Sequence, residues 1–97
     1  MTRCPDLEGP AIDVGWSRDE LQTLDRAAWG ESRCINDIMS ATSDACALQI
    51  NIVHREWLAN DHQINWPDDL TSDVHTCLRA ALYVWEKQGW EAWNALK

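Results

Sequence analysis

The sequence predicts an α+β fold, mostly helical, in which two main helices flank a short β element. Two segments place apolar residues three and four apart, the spacing of a helix that buries one face: Leu21, Leu24 and Ala28 in the first, and Val74, Cys77, Leu78, Ala81, Leu82 and Trp85 in the second. Between them the periodicity is lost, and the β-branched Ile50, Ile52 and Val53 follow a run of loop-forming residues. At 97 residues the chain can bury one modest core, so residues 1–97 are read as a single domain with 1–15 as an N-terminal arm.

Gly15 and Trp16 precede the first helix, and Ser17-Arg18-Asp19-Glu20 fits a capping box in which Ser17 and Glu20 satisfy each other's free amides. The next position in its apolar stripe, after Ala28, is Glu31, an acid in line with the core face. Asn36, Asp37, Ser40, Thr42 and Ser43 then supply loop chemistry, and Asp44 to Val53 suits a short strand or small hairpin. A helical turn is expected over His54 to Asn60, and a turn at Trp66-Pro67-Asp68-Asp69. The second long helix starts near Ser72 and ends at Gly89 in a left-handed cap, with a last short turn from Trp90 to Leu96.

A composition of 45% hydrophobic and 25% charged residues, without low-complexity runs or repeats, is that of a folded protein. Net charge −8 and a pI near 4.6 argue against a nucleic-acid partner or an anionic membrane surface, because the eight basic residues are scattered singly. No apolar window approaches the roughly 20 residues that cross a bilayer, so membrane insertion is not expected. The opening MTRCPDLEGP lacks the apolar core of a signal peptide.

Cys4, Cys34, Cys46 and Cys77 imply either disulfides or a metal site. No pair follows structural-zinc spacing, and His54, His62 and His75 are not at ligand spacing with one another, so no metal and no cofactor are expected. Two disulfides suit a domain this small, at about 2–4 kcal/mol each, and imply an oxidising destination: extracellular, periplasmic or within a virion reached by another route. A Cys46–Cys77 bridge would tie the β element to the second helix, and Cys4–Cys34 would pin the arm beneath the end of the first. The sequence alone leaves all three pairings open. Seven Trp, one Tyr and no Phe leave indoles to fill the core or to line a cleft against flat sugar faces.

A helix ending in Glu31-Ser32, a loop, LQIN at Leu48 to Asn51, and a helix leading into GWEAW at Gly89 to Trp93 occur in that order. The set resembles the lysozyme-like superfamily over residues 16 to 94. In soluble lytic transglycosylases a catalytic Glu is followed by Ser at a helix end, a Gly-Leu-Leu-Gln-Ile-Asn-like segment follows, and a later helix ends in Gly-Trp-x-x-Trp. Animal-type lysozymes carry an Asp five residues before the Gln, in D-Y-G-I-L-Q-I-N, where this chain has Asp44 in DACALQIN. Cys46 and Ala47 replace the usual Gly and a larger apolar residue, and the loop between Glu31 and Asp44 is shorter than in animal-type lysozymes.

The resemblance implies a small lysozyme-like fold with a cleft, and cleavage of the β-1,4 bond between N-acetylmuramic acid and N-acetylglucosamine in peptidoglycan strands. It nominates Glu31 as general acid/base and Trp90 as the indole stacked against it. A glutamate that extends an apolar stripe loses hydration when charged, so burial would keep it protonated near neutral pH. Trp29, two residues earlier, points to another face. Asp44 is either a second catalytic carboxylate or a turn former. Gln49 and Asn51, alternating with Ile50, would share one strand face, either offering their amides to a saccharide or lying as ordinary polar residues in solvent; His54 and Trp57 either rim the cleft or form a short covering turn with Trp57 inward. The competing readings are a non-catalytic saccharide-binding or virion structural module on the same scaffold, and an intracellular redox or zinc protein. The chain is expected to act as a monomer or within a virion or tail assembly.

Overall fold

The structure, a computed structural model describing all 97 residues, shows the expected α+β class: five α-helices, several 3-10 turns and one two-stranded antiparallel sheet. The first difference from expectation is the N-terminus. Residues 1–15 are not an arm; a 3-10 turn over Pro5–Leu7 runs directly into helix α1, Glu8–Val14, which lies along the last helix. Gly9 and Pro10 read as breakers, but both sit in the first turn of α1, where an amide has no intrahelical acceptor to lose. Leu7 and Ala11, four apart, bury one face. The helix closes at Gly15 (φ +113°), with Gly15 N–H donating to the Ile12 carbonyl at 3.1 Å and Trp16 N–H to that of Ala11 at 3.0 Å, a Schellman ending.

Helix α2, Leu21–Ser32, follows a 3-10 turn over Arg18–Glu20. The expected capping box does not form. Ser17 is extended and its carbonyl accepts the Glu20 N–H at 3.1 Å, while its side chain caps nothing. The tight 3-10 turn closes on the backbone and frees the Glu20 carboxylate to accept from the Trp90 indole N–H at 3.3 Å. Leu21, Leu24 and Ala28 are buried as their spacing required. The helix ends in two consecutive left-handed residues, Arg33 (φ +54°) and Cys34 (φ +67°).

The short sheet pairs β1, Asp44–Ala45, with β2, Ile50–Asn51, in the register Asp44 to Asn51 and Ala45 to Ile50. Ile52 and Val53 leave the sheet in a 3-10 turn that leads into α3, Arg55–His62. Helix α4, Asp68–Thr71, continues from the turn expected at Trp66 to Asp69. Helix α5, Val74–Gln88, is capped by the Asp73 carboxylate accepting the His75 N–H at 3.1 Å. It stops at Gly89, whose φ of +64° is the expected positive value but whose ψ of −155° lies in a region open to glycine alone rather than in the left-handed helix basin. Two 3-10 turns, Gly89–Ala92 and Asn94–Leu96, bring the chain back onto α2.

Helix α5 is central, packing on α1, α4, β2 and the 89–92 turn. Indoles fill the role that phenylalanines have elsewhere: Trp16, Trp85, Trp90 and Trp93 form a cluster with centroid separations of 5.4 to 5.9 Å. The buried indole N–H groups find carbonyls, Trp16 on Leu78 at 2.9 Å and Trp93 on Leu48 at 2.7 Å. All four cysteines are bridged, as Cys4–Cys34 and Cys46–Cys77. No helix is long and apolar enough to cross a membrane.

One buried charge holds the N-terminus in place. The Asp25 carboxylate, 2% exposed, accepts from the backbone N–H groups of Arg3 (3.1 Å) and Cys4 (2.8 Å). Replacing it leaves two amides without partners beside a disulfide. Asp25→Ala is expected to lower stability by about 2–3 kcal/mol in urea unfolding, whereas an unchanged midpoint would contradict this anchoring role.

Candidate functional site

Glu31 occupies the last turn of α2, half-buried, with its Oε2 accepting one hydrogen bond from the Ala95 backbone N–H at 3.3 Å. Burial pushes its carboxyl above the ordinary range; the Ala95 bond opposes this, and the negative charge of Asp44 adds to it. The charge of Asp44 therefore reaches Glu31.

Asp44 begins β1 in the opposite kind of environment. Its Oδ2 accepts from the Thr42 hydroxyl at 2.6 Å and the Ser40 hydroxyl at 2.9 Å, and its Oδ1 accepts from the Asn51 amide at 2.8 Å. Burial raises the Asp44 carboxyl, but the bonds from Thr42, Asn51 and Ser40 together outweigh it and hold the group below its usual value. One carboxyl raised and another lowered is the pattern that can divide labour between two acids.

Ser32 joins the two halves. Its buried hydroxyl lies 2.7 Å from the Ala47 carbonyl and 3.1 Å from that of Ala28, and the shorter contact takes its single proton. The end of α2 is thereby tied to the hairpin. Cys46, where the resemblance expects glycine, keeps the left-handed backbone a glycine would supply (φ +71°), and its disulfide to Cys77 holds that residue to α5.

The other expected site residues are placed differently. Gln49 does not alternate with Asn51 on a strand face, because the strands are only two residues long; Gln49 closes the turn at φ +51° and donates its side-chain amide to the Cys46 carbonyl at 2.9 Å. Asn51 is committed internally: its amide nitrogen serves Asp44 and the Thr42 carbonyl (3.2 Å), and its oxygen accepts from Val53 N–H at 3.0 Å. It aims Asp44 rather than presenting a free amide. Trp90 stacks on Trp16 at 5.6 Å and bonds to Glu20, so its indole belongs to the core cluster. The segment that reaches Glu31 follows Trp93 instead.

His54 and Trp57 belong to a second aromatic group between α3 and α5. The Trp57 indole N–H donates to His54 Nδ1 at 3.1 Å, which leaves Nε2 to carry the proton of the neutral ring. Burial, then the charge of Lys87, depress the His54 pKa. Lys87 lies 4.5 Å above the Trp57 ring, and His62 stacks on Tyr83 at 3.6 Å. None of these bonds reaches Glu31 or Asp44. Trp29 is exposed on the far face of α2, with the Arg33 guanidinium 4.8 Å over its ring.

The expected cleft is not an enclosed one. The surface has a hollow of about 410 Å³ lined by Ile52, Val53, Arg55, Glu56, Ala59 and Asn60, and a smaller one at Met1, Thr2, Gln22 and Asp25; neither includes Glu31 or Asp44. A sheet of four residues is too short to raise a wall beside α2, so the carboxylates sit on an open face. No three His, Cys, Asp or Glu side chains converge as metal ligands would. The sequence marked Ser40 and Thr42 only as loop formers, although hydroxyls flanking an acid in a loop signal side-chain capping. Sequence reasoning passed over Gly30, a glycine inside a helix that marks a close approach.

Comparison with family models, curated proteins and solved structures finds no match to this chain.

The opposed environments have consequences for stability. Glu31 binds its proton more tightly folded than unfolded, so it subtracts stability as pH rises from the ordinary glutamate range through the raised folded value. Asp44 contributes stability above the ordinary aspartate range that is lost as pH falls through its lowered value. Glu31→Gln should therefore gain stability over the unaltered protein more at about pH 7 than at about pH 3, in urea unfolding at both. Asn51→Ala should move the Asp44 titration upward in carboxyl-carbon NMR, and a fixed midpoint would show that Asn51 does not hold the charge.

Proposed function

We propose that this protein is a glycosidase or lytic transglycosylase of the lysozyme-like type, cleaving the β-1,4 bond between N-acetylmuramic acid and N-acetylglucosamine in peptidoglycan. The observation that carries this reading is the carboxylate pair: Glu31 raised by burial and by the charge of Asp44, and Asp44 lowered by three hydrogen bonds. Glu31 serves as general acid, placing its proton on the leaving oxygen, and as the base that later activates the attacking hydroxyl. Asp44, ionised and immobilised, stabilises the positive charge that develops at the anomeric carbon. An open face suits a polymer that enters from the side, and the ordered motifs ES, LQIN and GWEAW support the substrate class. Two disulfides support an extracellular, periplasmic or virion-associated setting, as a monomer or within a virion or tail assembly.

One observation favours a second reading. The larger hollow lies beside Ile52 and Val53, not at the carboxylates, as would suit a saccharide-binding or virion structural module without bond cleavage. Turnover separates the two.

Glu31→Gln is expected to reduce the clearing of purified cell walls by about 100- to 10,000-fold while circular dichroism stays unchanged. Equal clearing by the two proteins would remove Glu31 from the reaction. Mass spectrometry of the soluble products assigns the chemistry: anhydromuramyl ends mean attack by the sugar's own hydroxyl, and reducing ends mean attack by water. Binding to walls with no fragments released at all would establish the second reading.

A further inference from the structure

Gly30 is the only glycine in α2, at a position where glycine destabilises a helix by about 1 kcal/mol relative to alanine. Its reason is steric. A Cβ placed on Gly30 would lie 2.6 Å from the Ala95 Cβ, closer than unbonded carbons approach, while the Ala95 Cα and carbonyl oxygen stand at 3.7 and 3.9 Å. The Asn94–Leu96 turn therefore rests directly on the bare backbone of α2. From that seat Ala95 directs its N–H onto Oε2 of Glu31, the very next residue, whose carboxyl makes no other hydrogen bond. The turn is pegged by Trp93, 1% exposed, whose indole N–H reaches the Leu48 carbonyl at 2.7 Å in the hairpin that leads back to Asp44.

We propose that the Asn94–Leu96 turn is the cover and aiming device of the Glu31 carboxyl, and that Gly30 and Ala95 are its positioning residues. The role in catalysis rests on the reading of Glu31 as the acid; the role in setting its proton does not. With Oε2 engaged by an amide donor, the proton resides on Oε1. In the cleavage step the Oε1–H bond breaks as the leaving oxygen takes the proton and keeps the electron pair of the broken glycosidic bond. Glu31 is left as a carboxylate, and the Ala95 N–H bonds that charged form more strongly than the neutral acid. One contact thus does two opposed things: the seated turn removes water and favours the acid before the reaction, and its amide steadies the carboxylate after it. The charges around Glu31 agree with this division. Asp44 faces it from β1, the turn itself carries no ionisable side chain, Lys97 is drawn to Glu91 at 3.9 Å, and Arg33 donates to the Trp29 carbonyl.

The test is a swap of the methyl group across the contact, using Gly30→Ala, Ala95→Gly and the double variant, read by carboxyl-carbon NMR titration of Glu31 and by the pH profile of wall clearing. Gly30→Ala should unseat the turn, move the Glu31 midpoint downward and cut kcat/KM near neutral pH on the order of 10- to 100-fold, mainly in kcat. The double variant should restore both, because it leaves only the ordinary contacts to the backbone of residue 95. If Gly30→Ala does not fold, removal of residues 94–97 takes away the cover without adding bulk and should lower the midpoint in the same direction. A midpoint unmoved by folded Gly30→Ala or by the truncation overturns the proposal, as does a double variant that leaves the midpoint displaced. If the unaltered protein releases no fragments from walls, the proposed reaction fails on its own, and the titration still decides what the turn does.

Discussion

A buried hydrogen bond from the Ser32 hydroxyl to the Ala47 carbonyl, at 2.7 Å, governs how the helix that bears Glu31 stands against the hairpin that bears Asp44. Everything in the site is arranged around that junction. Two residues after Ser32, Cys34 is bridged to Cys4; one residue before Ala47, Cys46 is bridged to Cys77. The covalent links thus bracket a single polar contact and prevent either side from drifting. Asn36 adds a third strut, accepting the Ala47 N–H at 3.2 Å and donating to the Leu70 carbonyl at 2.9 Å. A sheet of four residues could not hold two carboxyl groups in register by itself. In this chain the work is done by loops that are hydrogen-bonded and cross-linked at every turn.

The two long helices were legible because their stripes are regular, and burial follows the stripes at Leu21, Leu24, Ala28, Cys77, Leu78 and Ala81. Glu31 stood out for the same reason, as the acid where the stripe continues. Helix α1 was hidden because Gly9 and Pro10 carry breaker chemistry, and only their place in the first turn makes them harmless. The capping box failed through a long-range competitor: Glu20 meets Trp90, seventy positions away, and no local pattern announces that. Trp90 and Trp93 pose the same difficulty. Both belong to one short motif, and the choice of which indole is pegged to the hairpin is made by tertiary packing. Side chains whose roles are to orient other side chains, such as Asn51 and Ser40, are invisible to spacing rules because their partner is an atom and not a periodicity.

The two acids differ in the kind of neighbour each is given. Glu31 has apolar cover and one amide; Asp44 has two hydroxyls and an amide. Three short side chains and one returning turn supply the difference. Indoles serve the same economy. Trp16, Trp66 and Trp93 each pack a ring against the core and satisfy a carbonyl with the indole N–H, so that a chain of 97 residues gains packing and polar closure from one side chain.

Each disulfide includes a cysteine with a left-handed backbone, Cys34 at φ +67° and Cys46 at φ +71°. Such residues ordinarily form either the bend or the staple, and here each must be both. The two duties pull toward different amino acids. Glycine would relax the bend and give up the cross-link, while serine or alanine would give up the cross-link and still carry the backbone strain of about 1–2 kcal/mol. Positions 34 and 46, one just after the helix of Glu31 and one just after the strand of Asp44, therefore have no mild substitute.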